Sequence, residues 1–357
     1  MRSESLYKMP LAASLLTLLV VCTKAGAITI FPVMATEEDE AYPMVSGNTV
    51  VWQYYNSRYG DWDVEGALVS DDEVLASFTI ANFSGDDRFP VIDGNDVVWQ
   101  NQRSADSDGD VHGARIEPDL SVTRFAISAS EDDEVLPWVS DGVAVWQHGF
   151  AGAPDWDILG APLTGEDNPE AFFVSAEIDI NEVFPCISGS LVVWNNSSSA
   201  LLQPFVHGAD ISDPNAPRTF YTNMALGKYE IPSLSDGWLV GRETDDVGKV
   251  MVDNLFDPFN PEGISSSGLT ACPRIHKHIV VWQDGRNGTW DIRAYNLATG
   301  REFAITDTKM SHQMNPAVYV DTEAMKALVV WQDDRNGNWD IYGAVLDGSE
   351  VAATAEP

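Results

Sequence analysis

The sequence predicts an all-β protein: a seven-bladed β-propeller of four-stranded blades, with the N-terminal strand closing the last blade. Three observations predict it. A [VA]VW word recurs with its tryptophan at Trp52, Trp99, Trp146, Trp194, Trp282 and Trp331, at spacings of 47, 47, 48, 88 and 49 residues. A proline opens every unit: Pro43, Pro90, Pro137, Pro185, Pro232, Pro273 and Pro316. Periods of this size belong to propellers and solenoids. No window of residues 43–345 carries the 3.6-residue period of an amphipathic helix.

Each unit has the same grammar. Proline and a short apolar stretch come first, as in PMVSG or PCISG, and the glycine ends the stretch in a tight turn. The [VA]VW run follows, too short for a helix and β-branched, which predicts a strand buried on both faces. A polar turn, often Asn-Gly, leads to WDI, WDV or GDV and a third strand, as in DIYGAVL. A fourth strand closes the unit, as in ASFTI, TRFAI or REFAI. The 88-residue gap holds a degenerate fifth unit, DGWLVGRE, with Gly241 at the tryptophan position. Residues 28–33, ITIFPV, match a fourth strand, and the seventh unit lacks a clear one of its own. The N-terminal segment is therefore expected to complete the last blade and leave no open edge, the alternative being a fourth strand formed by the C-terminal tail itself.

Residues 1–27 read as a secretory signal: Arg2 and Lys8, then the apolar run PLAASLLTLLVVC, then Ala25-Gly26-Ala27 as a cleavage site. The propeller is expected over 28–357 in a secreted, periplasmic or cell-surface protein. An uncleaved anchor is the alternative for the leader. The net charge of −35 becomes two units more negative without Arg2, Lys8, Lys24 and Glu4. Such a surface repels nucleic-acid phosphates and anionic lipid, so neither is an expected partner. Cys186 and Cys272 make no disulfide framework.

The pattern Pro-x-[IV]-x-G, VVW and [DN]-x-R-N-G-x-W-D-I is fullest in WQDGRNGTWDIRA (Trp282–Ala294) and WQDDRNGNWDIYG (Trp331–Gly343). It resembles the propeller repeats of the TolB type, in their secreted and cell-surface versions. That resemblance covers nearly all of 28–357 and implies binding more than any one reaction.

Several residues are candidates for more than structure. The recurring Asp63, Asp110, Asp157, Asp291 and Asp340 are expected to hold the preceding turn by accepting its backbone N–H groups. Both tryptophans of each full repeat are expected in the core between blades. Asp106, Asp108 and Asp110 in DSDGD resemble part of a calcium loop and form a candidate metal site, although no glutamate follows at the usual distance. Glu40, Asp87, Glu134 and Glu182 all lie three residues before a unit's proline, where units five to seven carry Tyr229, Thr270 and Gln313. With nearby Glu37, Asp39, Asp86, Asp132 and Asp133 they are expected to form an acidic crescent at the channel mouth, binding a divalent cation or a cationic partner. No cofactor other than calcium is suggested. The functional reading is a monomeric extracellular propeller that binds a protein or glycan at this acidic face. Alternatives are a polysaccharide hydrolase or lyase on the same scaffold, and a structural part of the cell surface. Catalysis is the less favoured role, since no nucleophile elbow, Walker loop or metalloprotease helix is present.

Overall fold

A computed structural model describes residues 28–104, 108–150, 155–177, 180–197, 205–227, 230–243, 248–257 and 261–352. The leader of residues 1–27 lies outside them. The strands form seven four-stranded sheets. In the first six blades, four consecutive strands, here a to d from the centre outward, pair antiparallel; the first blade runs Glu40–Ser46, Thr49–Asn56, Asp61–Ser70 and Glu73–Ala81. The seventh takes strands a to c from Gln313–Asp321, Lys326–Asp333 and Asp340–Asp347, and strand d from Ile30–Met34 at the other end of the chain. Among the described residues the one helix is a 3-10 turn at Gly348–Glu350.

The repeated words explain the packing. Each [VA]VW tryptophan is completely buried and packs on the preceding blade. Trp99 sits among Val51, Val64 and Ile80 of blade one, and Trp52 among Phe31, Val330 and Ile341 of blade seven. The ring is thus sealed by the same contact that joins its interior blades. Strand c carries a glycine opposite a phenylalanine of strand d: Gly66–Phe78, Gly113–Phe125, Gly160–Phe172, Gly208–Phe220 and Gly343–Phe31. A Cβ at these glycines would stand 2.3 to 3.1 Å from the ring, so the glycine makes the seat for the aromatic.

Two expectations are corrected. The tryptophans of WDI and WDV are half-buried rather than core; Trp62 lies with the Arg88 guanidinium 5.4 Å from its ring. Asp63, Asp291 and Asp340 do hold the turn, but through an asparagine side chain rather than the turn's backbone N–H groups. Asn56 Nδ2 donates to Asp63 at 2.7 Å and Asn336 Nδ2 to Asp340 at 2.6 Å.

Blades are also stitched at the end of the channel where strands a and b turn. Gly94 N–H donates to Ser46 Oγ, Asp141 to Asp93 Oδ2, Gly189 to Ser140 Oγ, Asp236 to Ser188 Oγ and Lys277 to Ser235 Oγ, at 2.8 to 3.2 Å. The Ser-Gly and Asp-Gly words that end strand a thus fix the angle between neighbouring blades as well as the turn.

Candidate binding site in the central channel

The four acids of the expected crescent do not meet at an open mouth. Glu40, Asp87, Glu134 and Glu182 are each 0% exposed, inside their own blades. Asp87 Oδ1 accepts the indole N–H of Trp99 at 2.9 Å and the Asn101 amide at 2.8 Å, and its Oδ2 accepts Phe83 N–H at 2.8 Å. Glu40 accepts from Thr36 Oγ1 at 2.5 Å, Glu134 from Ser130 Oγ at 2.6 Å, and Glu182 from Ser175 Oγ.

The same chemistry explains why the later units lack the acid. Thr270 lies directly opposite Asp284, and Gln313 opposite Asp333, so blades six and seven supply the carboxylate from strand b. Each aspartate accepts its own blade's tryptophan indole at 3.2 Å and pairs with an arginine two residues on, Arg286 at 2.7 Å or Arg335 at 2.5 Å. A carboxylate is therefore buried in every blade that has the tryptophan, and only its source strand changes. Burial pushes Glu40 and Glu182 up to about 7 and Asp87 up to about 6. Asp284 is also buried, but its bonds from Arg286 and Trp282 outweigh that and hold it below the usual carboxylate range.

Three of the neighbouring acids, Asp39, Asp86 and Asp133, are taken up in joints. Trp339 N–H donates to Asp39 Oδ1, Trp62 N–H to Asp86 Oδ1 and Gly109 N–H to Asp133 Oδ1, each from the preceding blade. Of the candidate calcium loop, Asp106 lies outside the described residues; Asp110 is buried, 3.9 Å from Arg103. Among the described residues no group of three or more His, Cys, Asp or Glu side chains is placed to hold a metal ion. Cys186 and Cys272 are both free thiols.

What the channel does present is a ring that sequence reasoning missed. Strand a carries a bulge in six blades, and the residue before the proline is left-handed there. Its φ is 52° at Tyr42, 54° at Phe89, 52° at Leu136, 58° at Phe184, 48° at Cys272 and 50° at Asn315. This region is costly for residues with a Cβ. Five of these N–H groups are held by the glutamine that follows the preceding blade's [VA]VW word: Tyr42 by Gln332, Phe89 by Gln53, Leu136 by Gln100, Phe184 by Gln147 and Asn315 by Gln283, at 3.0 to 3.4 Å. The signal was in the sequence, as a glutamine after nearly every [VA]VW and a large residue before the first four prolines.

These six residues line a cavity of about 360 Å³. Tyr42, 43% exposed, meets Phe89 edge to face at 5.1 Å. A second cavity of about 580 Å³ opens beyond it, lined by the strand a–b turns and by Asp93, Asp141, Asp236 and Lys277. Met44, Val91, Trp138 and Arg274 line both and form the waist between them. The Arg274 guanidinium stands 5.2 Å from the Trp138 ring centroid.

No family model and no curated protein matches the chain. Solved structures do. One belongs to a study of two prolyl endopeptidases and their inter-domain dynamics, with TM-score 0.63, 11% identity, and coverage of 90% of this chain and 48% of that one. Another is the β-propeller domain of the Trilobed protease from Pyrococcus furiosus, described as having an open velcro topology, with TM-score 0.62, 12% identity, and coverage of 90% and 99%. A third is the acylaminoacyl peptidase from Pyrococcus horikoshii, with TM-score 0.57, 11% identity, and coverage of 87% and 51%. The chain spans about half the length of the first and third. At these identities the likeness establishes the fold alone. It also corrects the expected TolB-type resemblance: the propellers that match are those of peptidases, and that repeat family is not supported. The chain is a β-propeller structurally like the propeller domains of these peptidases.

Proposed function

We propose that the chain is a binding propeller that takes a segment of a protein partner into the apolar mouth of its channel. The observation that carries this reading is the ring of left-handed residues. Six strained positions, most of them fixed by a glutamine of the preceding blade, turn Tyr42, Phe89, Leu136 and Phe184 into one cavity. Strain of about 1–3 kcal/mol per residue persists where surroundings over-determine it, and such residues gather at ligand clamps. The cavity falls in the usual size range of ligand pockets and is mostly apolar. Action outside the cytoplasm belongs to the same proposal and rests on the charged start, apolar run and Ala25-Gly26-Ala27 of the leader.

A random-peptide library and a glycan array, read against the wild type and against Tyr42→Ala and Phe89→Ala, test the reading. Apolar peptides should be retained by the wild type and lost from both variants. Retention of glycans alone, unchanged in the variants, overturns it.

A further inference from the structure

We propose that Arg274 makes this channel mouth a receptor for a free carboxyl terminus preceded by apolar residues. The proposal rests on the binding reading above and names the chemistry of its partner.

Arg274 is the residue after the proline in strand a of blade six. The equivalent residues of the other blades are Met44, Val91, Trp138, Cys186, Ser233 and Ala317. Only blade six puts a charge at this level, and among the described residues Arg274 is the one charged side chain lining the apolar cavity. The chain has 55 acids against 20 basic residues, and most arginines are tied to a carboxylate, as Arg242 is to Glu230 at 2.8 Å and Arg293 to Glu302 at 2.8 Å. Among the described residues Arg274 makes no ion pair of this kind. Its contacts are the Trp138 ring and one bond from Nη1 to the Pro273 carbonyl at 3.3 Å.

A guanidinium is a planar fork of donors suited to a carboxylate, and one stacked on an aromatic face keeps that fork free at its edge. The rest of the protein repels anions, so a carboxylate gains a place here only if the body attached to it buries apolar surface at the same time. The cavity supplies that surface above the arginine, from Tyr42, Phe89, Leu136 and Phe184. An apolar segment entering carboxylate first would set its chain against these rings and its terminus on Arg274 at the waist. An internal loop or an amidated end would leave the guanidinium unmatched.

The experiment is calorimetric titration of the full chain with N-acetyl-Leu-Phe-Leu, with its C-terminal amide, and with decanoate. Wild type, Arg274→Gln, Arg274→Lys and Tyr42→Ala are compared, each checked for an unchanged circular dichroism spectrum. The free acid should bind about tenfold or more tightly than the amide, the scale of a charge-assisted hydrogen-bonded pair. Arg274→Gln should erase that difference, Arg274→Lys should keep part of it, and Tyr42→Ala should weaken acid and amide together. Equal binding of acid and amide by the wild type, both weakened by Tyr42→Ala, overturns the carboxylate inference and leaves the mouth as a binding site. Arginine-dependent binding of decanoate without binding of the peptide overturns the peptide terminus in favour of a fatty acid. No saturable binding of any probe overturns this inference and the binding reading together.

Discussion

The indole N–H of Trp99 ends on Asp87 Oδ1, 2.9 Å away, with both side chains sealed from solvent. Buried indole donors need an acceptor, and burying a charge to provide one is costly unless other donors surround it. Asn101 and the Phe83 N–H do so here. In blades six and seven an arginine does it instead. Blades two, six and seven thus bring a buried acid to the indole, held by neutral donors in blade two and by an arginine in the other two, whereas the Trp52, Trp146 and Trp194 indoles find no acceptor among the described residues.

The bond itself is testable. Asp87→Ala leaves the Trp99 indole, the Asn101 amide and the Phe83 N–H without their acceptor. Unpaired buried donors cost about 1–3 kcal/mol, and the urea midpoint should fall accordingly. Asp87→Asn keeps one acceptor oxygen and removes a buried charge, so it should cost less. Equal midpoints for Asp87→Ala and the wild type would show that the contact carries no stability.

The glutamine clasps predict a local effect. Gln53→Ala frees the Phe89 N–H and removes what holds Phe89 left-handed across the blade joint. Amide exchange at Phe89 should accelerate strongly, while exchange at the centre of strand b in blade two, around Val97 and Val98, changes little. Acceleration spread evenly over blades one and two would instead assign Gln53 to general stability.

The ring and its closure were legible in the sequence because they rest on repetition. Trp52 and Trp331 belong to one recurring word, and ITIFPV fills the strand missing from the last unit. The site was not, for two physical reasons. A bulge whose left-handed residue is Tyr, Phe or Leu leaves no glycine to mark it, and the extra residue alters where everything before the proline points. Glu40 and its equivalents therefore read as loop acids at a mouth, whereas they enter the blade. The exchange of that acid for Asp284 appears only once the register sets Thr270 opposite it. Arg274 gave no warning either, since PRIH reads as one more strand.

Blade five shows how a lost tryptophan is tolerated. Gly241 leaves a tryptophan's space to be filled, and Trp238 and Phe256 are among the large aromatics of the same blade. Phe256 is 73% exposed, and the space is taken by Leu226, which is fully buried and would stand 2.4 Å from a Cβ at position 241. Leu226→Ala should cost about 2–5 kcal/mol as a cavity mutation, and Gly241→Ala about 1–3 kcal/mol as overpacking. In the double variant the new methyl enters the space that the leucine leaves. The double-mutant cycle should therefore show a favourable coupling, and strict additivity would mean that the two sites do not share this space.

Buried acids without a cationic partner contribute to the pH dependence of the ring. Glu65, raised by burial to about 7, acts in the same direction, and His276, lowered by burial to about 4, acts against them. Glu40 and Glu182 titrate near 7 in the folded protein against 4.5 for a free side chain, and Asp87 near 6 against 3.8. Folded pKa values above the unfolded ones mean that the native state holds more protons between those limits. Stability from these groups is thus full below about pH 4 and is lost progressively as pH rises through about 7. Asp284 and Glu302 run the other way: despite burial, their hydrogen bonds and arginine neighbours lower them, and they lose stability only as acid protonates them below the usual carboxylate range. Between the two limbs, thermal unfolding should come at a higher temperature near pH 5 than near pH 8. Repulsion among the protein's many surface carboxylates slopes the same way, so the sign alone does not identify the cause. Replacing Glu40 and Glu182 by Gln and Asp87 by Asn removes the three titrations while leaving most of the surface charge. The midpoint of that variant should vary less between the two pH values than that of the wild type, and an undiminished slope would assign the effect to the surface.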